Sequence, residues 1–126
     1  MEPKTIKIDE VEYIRKDSIE TNAPATPIDG KPFVVIRAFG AGVFAGYLAS
    51  EKDTPAGKEV VMDRNIRLHR WTGCSLSQVA NDGVAGTGEN RFSMPVDGHR
   101  IMNVIEIEPC TERARLAIQA VKTWKL

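Results

Sequence analysis

The chain has 126 residues, 42% of them apolar, with 17 basic and 17 acidic side chains that cancel. That length suits one domain with a modest core, and a zero net charge argues against bulk binding of a nucleic-acid polymer or a membrane surface. No apolar run reaches the roughly 18 residues of a membrane-spanning helix, and Met1-Glu2-Pro3-Lys4 lacks the apolar stretch of a secretory signal, so a cytoplasm is the expected compartment. In a reducing compartment, Cys74 and Cys110 read as buried thiols rather than a bridge.

Thr5-Ile6-Lys7-Ile8 and Val11 to Arg15 alternate around Asp9-Glu10, which predicts an N-terminal hairpin arm over residues 1–16. Residues 17–31, rich in Thr, Asn, Pro, Asp and Gly, have no apolar period and read as an exposed linker. The body is expected over 32–126. Phe33 to Phe39 is β-branched and aromatic, a buried strand, and Ala41 to Ser50 reads as a second. Asp53 to Gly57 is a turn cluster. Glu59 to Met62 and Ile66 to Trp71 read as two further strands, separated by Asp63-Arg64-Asn65. Ser75 and Gln78 have the capping-box spacing that opens a short helix, with Gly83 as its stop. Asp82 to Asn90 is a glycine-rich loop. Asn103 to Glu108 alternates, with Val104 and the Ile105/Ile107 pair toward the core and Glu106/Glu108 on a solvated face. Thr111 caps a last helix, from Glu112 to about Val121, whose Ala114, Ala117, Ile118 and Val121 share one face. Trp124 is expected to pack back over the sheet. Together these predict an α+β fold: an antiparallel β-sheet with two helices and the N-terminal hairpin arm.

Three glycines interrupt the strand region at Gly40, Gly42 and Gly46. A dinucleotide fingerprint needs G-x-G-x-x-G between strand and helix; here the spacing is longer and Tyr47-Leu48 is strand-like. A hairpin and a close backbone approach explain the glycines better, although they could also leave a flat floor for a ligand ring. Gly83, Gly86 and Gly88 precede Glu89-Asn90-Arg91-Phe92. Such a loop could close over a nucleotide, with amides and Arg91 on phosphate and Phe92 on a base, or be an ordinary surface loop with Phe92 in the core.

No metal-ligand spacing links His69, His99, Cys74 and Cys110, and no cofactor is implied. Ser75 and Ser77 are accounted for by a helix start, and no catalytic residue is assigned. What remains is arginines near aromatics: Arg37 with Phe39, Arg67 and Arg70 with Trp71, Arg91 with Phe92, and Arg113 with Arg115 on the last helix. A guanidinium offers a planar fork to phosphate and a face to a base. The expected ligand-binding set is Arg37, Phe39, Arg70, Trp71, Asn90, Arg91, Phe92, Arg113 and Arg115.

"VVIRAFGAGVFAG" (Val34 to Gly46), "RWTGCSLSQVA" (Arg70 to Ala80), "RFSMPV" (Arg91 to Val96) and "IEIEPCT" (Ile105 to Thr111) resemble a family of small phage- and prophage-encoded proteins known as a domain of unknown function. His69, where an aromatic is usual, and the glycine content of the Asp82–Asn90 loop depart from that pattern. By size, expected build and arginine/aromatic inventory the chain is also similar to the Thoeris anti-defence sponges. That similarity implies non-catalytic sequestration of a cyclic nucleotide second messenger, of the cyclic ADP-ribose type or a cyclic oligonucleotide. It also implies a homo-oligomer in the host-cell cytoplasm. The alternative is a phage accessory or structural protein-binding module, acting through the Leu116 side of the last helix. A small hydrolase using Cys74 or His69 is the third reading.

Overall fold

The computed structural model describes residues 23–72, 75–86 and 89–124. The expected hairpin arm lies outside them. The body is α+β, with strands β1 (Phe33–Ala38), β2 (Gly42–Thr54), β3 (Gly57–Arg70), β4 (Arg91–Phe92) and β5 (His99–Pro109). Helix α1 (Leu76–Asp82) follows β3, and α2 (Glu112–Gln119) follows β5.

The strand pairings are antiparallel, and they close on themselves. β1 pairs with β2 on one side and β5 on the other, while β3 pairs with both β2 and β5. Four strands therefore form a small barrel, and β4 extends it from β3. Closure removes the exposed edges that an open sheet of this size would carry.

The closed sheet explains why β1 is apolar at nearly every position. Its alternate residues face two different cores. Val34, Ile36 and Ala38 join Phe44, Val60, Met62, Ile101 and Val104 in one cluster. Phe33 and Val35 join Tyr47, Leu68 and Phe92 in a second, where Val79 and Ala80 of α1 and Ala114 and Ile118 of α2 cover the sheet. Phe33 and Tyr47 meet edge to face, 5.0 Å between centroids.

The helices begin where the sequence predicts. Ser75 Oγ accepts from the Gln78 amide and Thr111 Oγ1 from the Ala114 amide. The Gly83 amide closes α1 on the Val79 carbonyl with φ at 82°. Helix α2 stops at Gln119, short of Val121, and Thr111 Oγ1 also donates to the Asn81 carbonyl at 2.6 Å, joining the two helices.

Three expectations are corrected. The two strands expected at Glu59–Met62 and Ile66–Trp71 are one strand, β3, bent where Arg64 takes φ 48°. Its polar middle is not a turn: Asp63 accepts from the Gly98 amide and from Lys31, and Asn65 is buried. On β5, Ile105 is exposed rather than turned to the core with Ile107, because Asn103 at φ 58° and a register shift opposite Arg37/Ala38 offset the alternation. Glu106 and Glu108 are accordingly only partly solvated, and one Glu108 oxygen is fully buried. Finally, residues 24–31 of the expected linker are mostly exposed, as expected, but are tied to the body. Ala25 is buried and donates to the Cys110 carbonyl, and the Thr26 amide donates to Glu112.

Candidate functional site

The hairpin between β1 and β2 needs its glycines. Gly40 and Gly42 have φ of 82° and 113°, the left-handed region that L side chains avoid. Gly46 serves close approach: a Cβ there would stand 2.8 Å from Asn65 Cα. The hairpin delivers Phe44 to one end of the barrel core, opposite Arg67 on β3.

Arg67 and His99 cover that ring. The Arg67 guanidinium lies 4.8 Å from the Phe44 centroid, and the His99 ring meets Phe44 edge on at 5.5 Å. Asn65 lies behind His99, with its Nδ2 2.9 Å from His99 Nδ1. In this orientation the Asn65 amide nitrogen donates and Nδ1 accepts, which places the neutral ring's proton on Nε2 and leaves Asn65 Oδ1 buried without a partner. Burial, and then the nearby Arg67 charge, lower the His99 pKa from 6.5. The imidazole is therefore neutral at pH 7, and Arg67 supplies the fixed charge.

Two clefts open on either side of this pair. One, about 400 Å³, is bounded by Phe39, Phe44, Arg67, His99 and Met102. The other, about 410 Å³, is bounded by Arg67, His69, Ser93, Met94, Val96, His99 and Trp124. Each has the size of a small-ligand pocket. Phe39 and Met94 are 75% and 60% exposed, so both clefts have flexible or flat apolar rims open to solvent. The Arg67 amide donates to Ser93 Oγ at 2.8 Å, which fixes the Met94 segment against β3.

The arginines divide by partner. Arg37 pairs with Glu106, Arg70 and Arg91 with Glu89, Arg100 with Glu59, Arg113 with Asp82, and Arg115 with Glu112. Among the described residues, Arg64 and Arg67 have no carboxylate within 4.0 Å. Arg64 is exposed, whereas Arg67 is half-buried between the two clefts.

Of the expected site residues, Phe39 lines the first cleft. Arg91 lies beside the second, its guanidinium 5.2 Å from the Trp124 centroid. Arg37 is held on the outside of the β1–β5 pair by Glu106. Arg70 is drawn to Glu89, and Asn90 is spent on structure, accepting from the Thr72 amide and donating to the Ala85 carbonyl. Phe92 is buried in the helix-side core, as Leu68 is, and Trp71 packs against that core half-exposed. Arg113 and Arg115 stay on α2; Arg115 also donates to Gln119. The nine side chains thus do not meet in one cavity. The residues that do meet are Arg67, His99 and Phe44, with Trp124 on the far wall of the second cleft. Of these, the sequence pairs only Arg67 with an aromatic, and with Trp71 rather than Phe44.

Two further groups bear on chemistry. Cys110 is buried, and desolvation followed by the Glu108 charge pushes its thiol up to about 12, so it is unreactive. The Glu108 pKa is raised, chiefly by the neighbouring Glu106 carboxyl and then by burial. Cys74 lies outside the described residues.

The fold is thus a barrel-centred α+β domain in which Arg67 lies between two clefts without a carboxylate partner among the described residues. Residues 31–118, well over half of the chain, match the family model Domain of unknown function (DUF6948), and the chain belongs to that family. No curated protein and no solved structure matches it.

Proposed function

We propose that this protein binds and sequesters a small, flat, anionic molecule at the Arg67–His99 clefts and does not cleave it. In its specific form the reading is that of a phage-encoded anti-defence sponge. The ligand is then a cyclic nucleotide immune signal, of the cyclic ADP-ribose type or a cyclic oligonucleotide, and the chain acts as a homo-oligomer in the host-cell cytoplasm. The observation that carries the binding reading is the half-buried Arg67 guanidinium with no carboxylate partner among the described residues. A cation taken partly out of water and left unpaired is costly, and an anionic ligand offsets that cost. The neighbouring rings suit the faces of a base. Ser75 and Ser93 are already engaged in hydrogen bonds and His69 meets Trp124 edge on, which fits holding better than transforming.

The test is a melting screen against cyclic ADP-ribose-type signals and cyclic oligonucleotides, followed by heating the complex and recovering the ligand. Sequestration predicts a raised Tm and intact ligand after denaturation. Cleaved ligand would point to the hydrolase. No shift with any member would remove the reading. In that case the accessory role gains, and the exposed Leu116 on α2, 56% accessible, is the observation that favours it.

A further inference from the structure

The two clefts are not independent, and their shared wall says something about the ligand. Both are bounded by Arg67 and His99. On one side of that wall stand Phe39 and Met102, and on the other Met94 and Trp124, all four exposed. The order across the surface is apolar rim, cation with imidazole, apolar rim. We infer that the ligand is bipartite: one anionic centre carrying two flat or apolar ends, one for each cleft. This rests on the binding reading above and narrows its ligand class.

The wall has donors for the centre. Arg67 offers N–H groups in a planar fork, and His99, with Nδ1 occupied by Asn65, has its remaining proton on Nε2. Neutral His99 adds no second charge, so the centre is matched by one guanidinium. Arg100 also borders the Phe39 cleft, but Glu59 already holds it at 3.3 Å. The Trp124 end is mostly apolar, whereas the Phe39 end is mixed, with Arg100 and Asn103 also on its border. Trp124 and Phe39 supply ring faces, and Met94 and Met102 supply adaptable thioether contacts. A ligand with one ring would fill one cleft and leave the other apolar rim in water. A ligand with two rings bridged by phosphate, dinucleotide-like in outline, covers both rims and the guanidinium between them.

The experiment is calorimetric titration of the full chain with three probes: P1,P2-diadenosine diphosphate, AMP and adenosine. The inference predicts that the two-ring probe binds at least tenfold tighter than AMP, and that adenosine binds weakest. Phe39→Ser and Trp124→Ser should each weaken the two-ring probe about tenfold. Against AMP, one of the two substitutions should be silent. Both side chains lie at the surface, so the variants should melt near the parent, and a Tm measurement checks this. Equal affinity for AMP and the two-ring probe, with one aromatic silent toward both, overturns the bipartite ligand and leaves a one-cleft binding site standing. No binding of any of the three, with no effect of Arg67→Met in the melting screen, removes the binding reading and this inference with it.

Discussion

The Arg67 guanidinium sits 4.8 Å from the centre of the Phe44 ring, on the strand pair where the two residues are register partners. The contact gives the arginine a place to rest without giving it a counter-ion. A cation over an aromatic face contributes about 0.5–1 kcal/mol at such sites. Removing the charge while keeping an apolar stem should therefore cost little stability.

Arg67→Met should leave Tm within a few degrees of the parent and lower affinity for an anionic ligand by tenfold or more. Arg113→Met is the comparison, because Arg113 is already paired with Asp82 between the helices. It should leave binding unchanged. Equal losses at the two positions in a titration would show that long-range charge, not the Arg67 site, governs affinity.

Protonation of His99 sets an acid limit. Its folded pKa is below the ordinary 6.5, chiefly through burial and secondarily through Arg67. The unfolded chain thus takes up a proton more readily than the folded one, so stability is fully present above about pH 6.5 and declines as pH falls below it. Arg67 faces the imidazole from β3, and Asn65 contacts it at Nδ1. Melting followed from pH 8 to pH 5 should show Tm falling in the lower half of that range, and His99→Gln should reduce the fall. An unchanged slope in His99→Gln would assign the acid sensitivity elsewhere.

Much of this fold can be read from the sequence, for local reasons. The continuous apolar run of β1, the caps at Ser75 and Thr111 and the glycines at the β1–β2 turn each act within a few residues. Barrel closure cannot be read that way, because it depends on β1 meeting β5, about 70 residues later in the chain. The bend in β3 was hidden for the same reason: Asp63 and Asn65 look like turn residues until Lys31, Gly98 and His99 supply their partners. The arginines mislead most. A guanidinium beside an aromatic in sequence resembles a binding pair, yet its role is set by whether a distant acid reaches it. Glu106, Glu89, Asp82 and Glu112 do so for the expected residues, and no described acid does so for Arg67.

Glu108 yields a prediction of opposite pH sense. Its hydrogen bond with Glu106 and its burial raise its pKa, and one of its oxygens is buried without a partner. The folded state therefore holds the proton better than the unfolded chain does, so this group's contribution is present at low pH and lost as pH rises through the folded value. Glu108→Gln keeps a donor for Glu106 and removes the repulsion. Its Tm should exceed the parent's at pH 8 by a few degrees and match it at pH 4. A lower Tm at pH 8 would mean that the carboxylate form is the one the fold prefers.

Glu112 begins α2 and ties it to residue 26. Its hydrogen bonds with Arg115 and then with the Thr26 amide hold the carboxyl down at about 2. As a folded pKa below the usual value, this contributes stability above about pH 4.5 that is lost as pH falls toward 2. Glu112→Gln should lower stability by about 1 kcal/mol at pH 7, in the range of helix-terminus charge effects. The difference from the parent should shrink below pH 4 in chemical denaturation. A difference that persists at pH 2.5 would trace the loss to packing instead of charge.

Gly46 links the core to the site. A Cβ at this position would lie 2.8 Å from Asn65 Cα and 3.0 Å from both Asn65 Oδ1 and the Asp63 carbonyl. Two of those three atoms are backbone, so β2 and β3 must separate for the methyl to fit. Overpacking of this kind costs about 1–3 kcal/mol. The displaced Asn65 also loses its hold on His99 Nδ1, leaving the imidazole free to change tautomer and orientation. Gly46→Ala should therefore lower Tm and weaken ligand binding together. Asn65→Ala should weaken binding in the same way, and a Gly86→Ala control, where a Cβ meets nothing within 4 Å, should change stability little. If Gly46→Ala destabilises the chain but leaves the affinity and its pH profile unchanged, the Asn65–His99 contact has no part in positioning the ligand's donors.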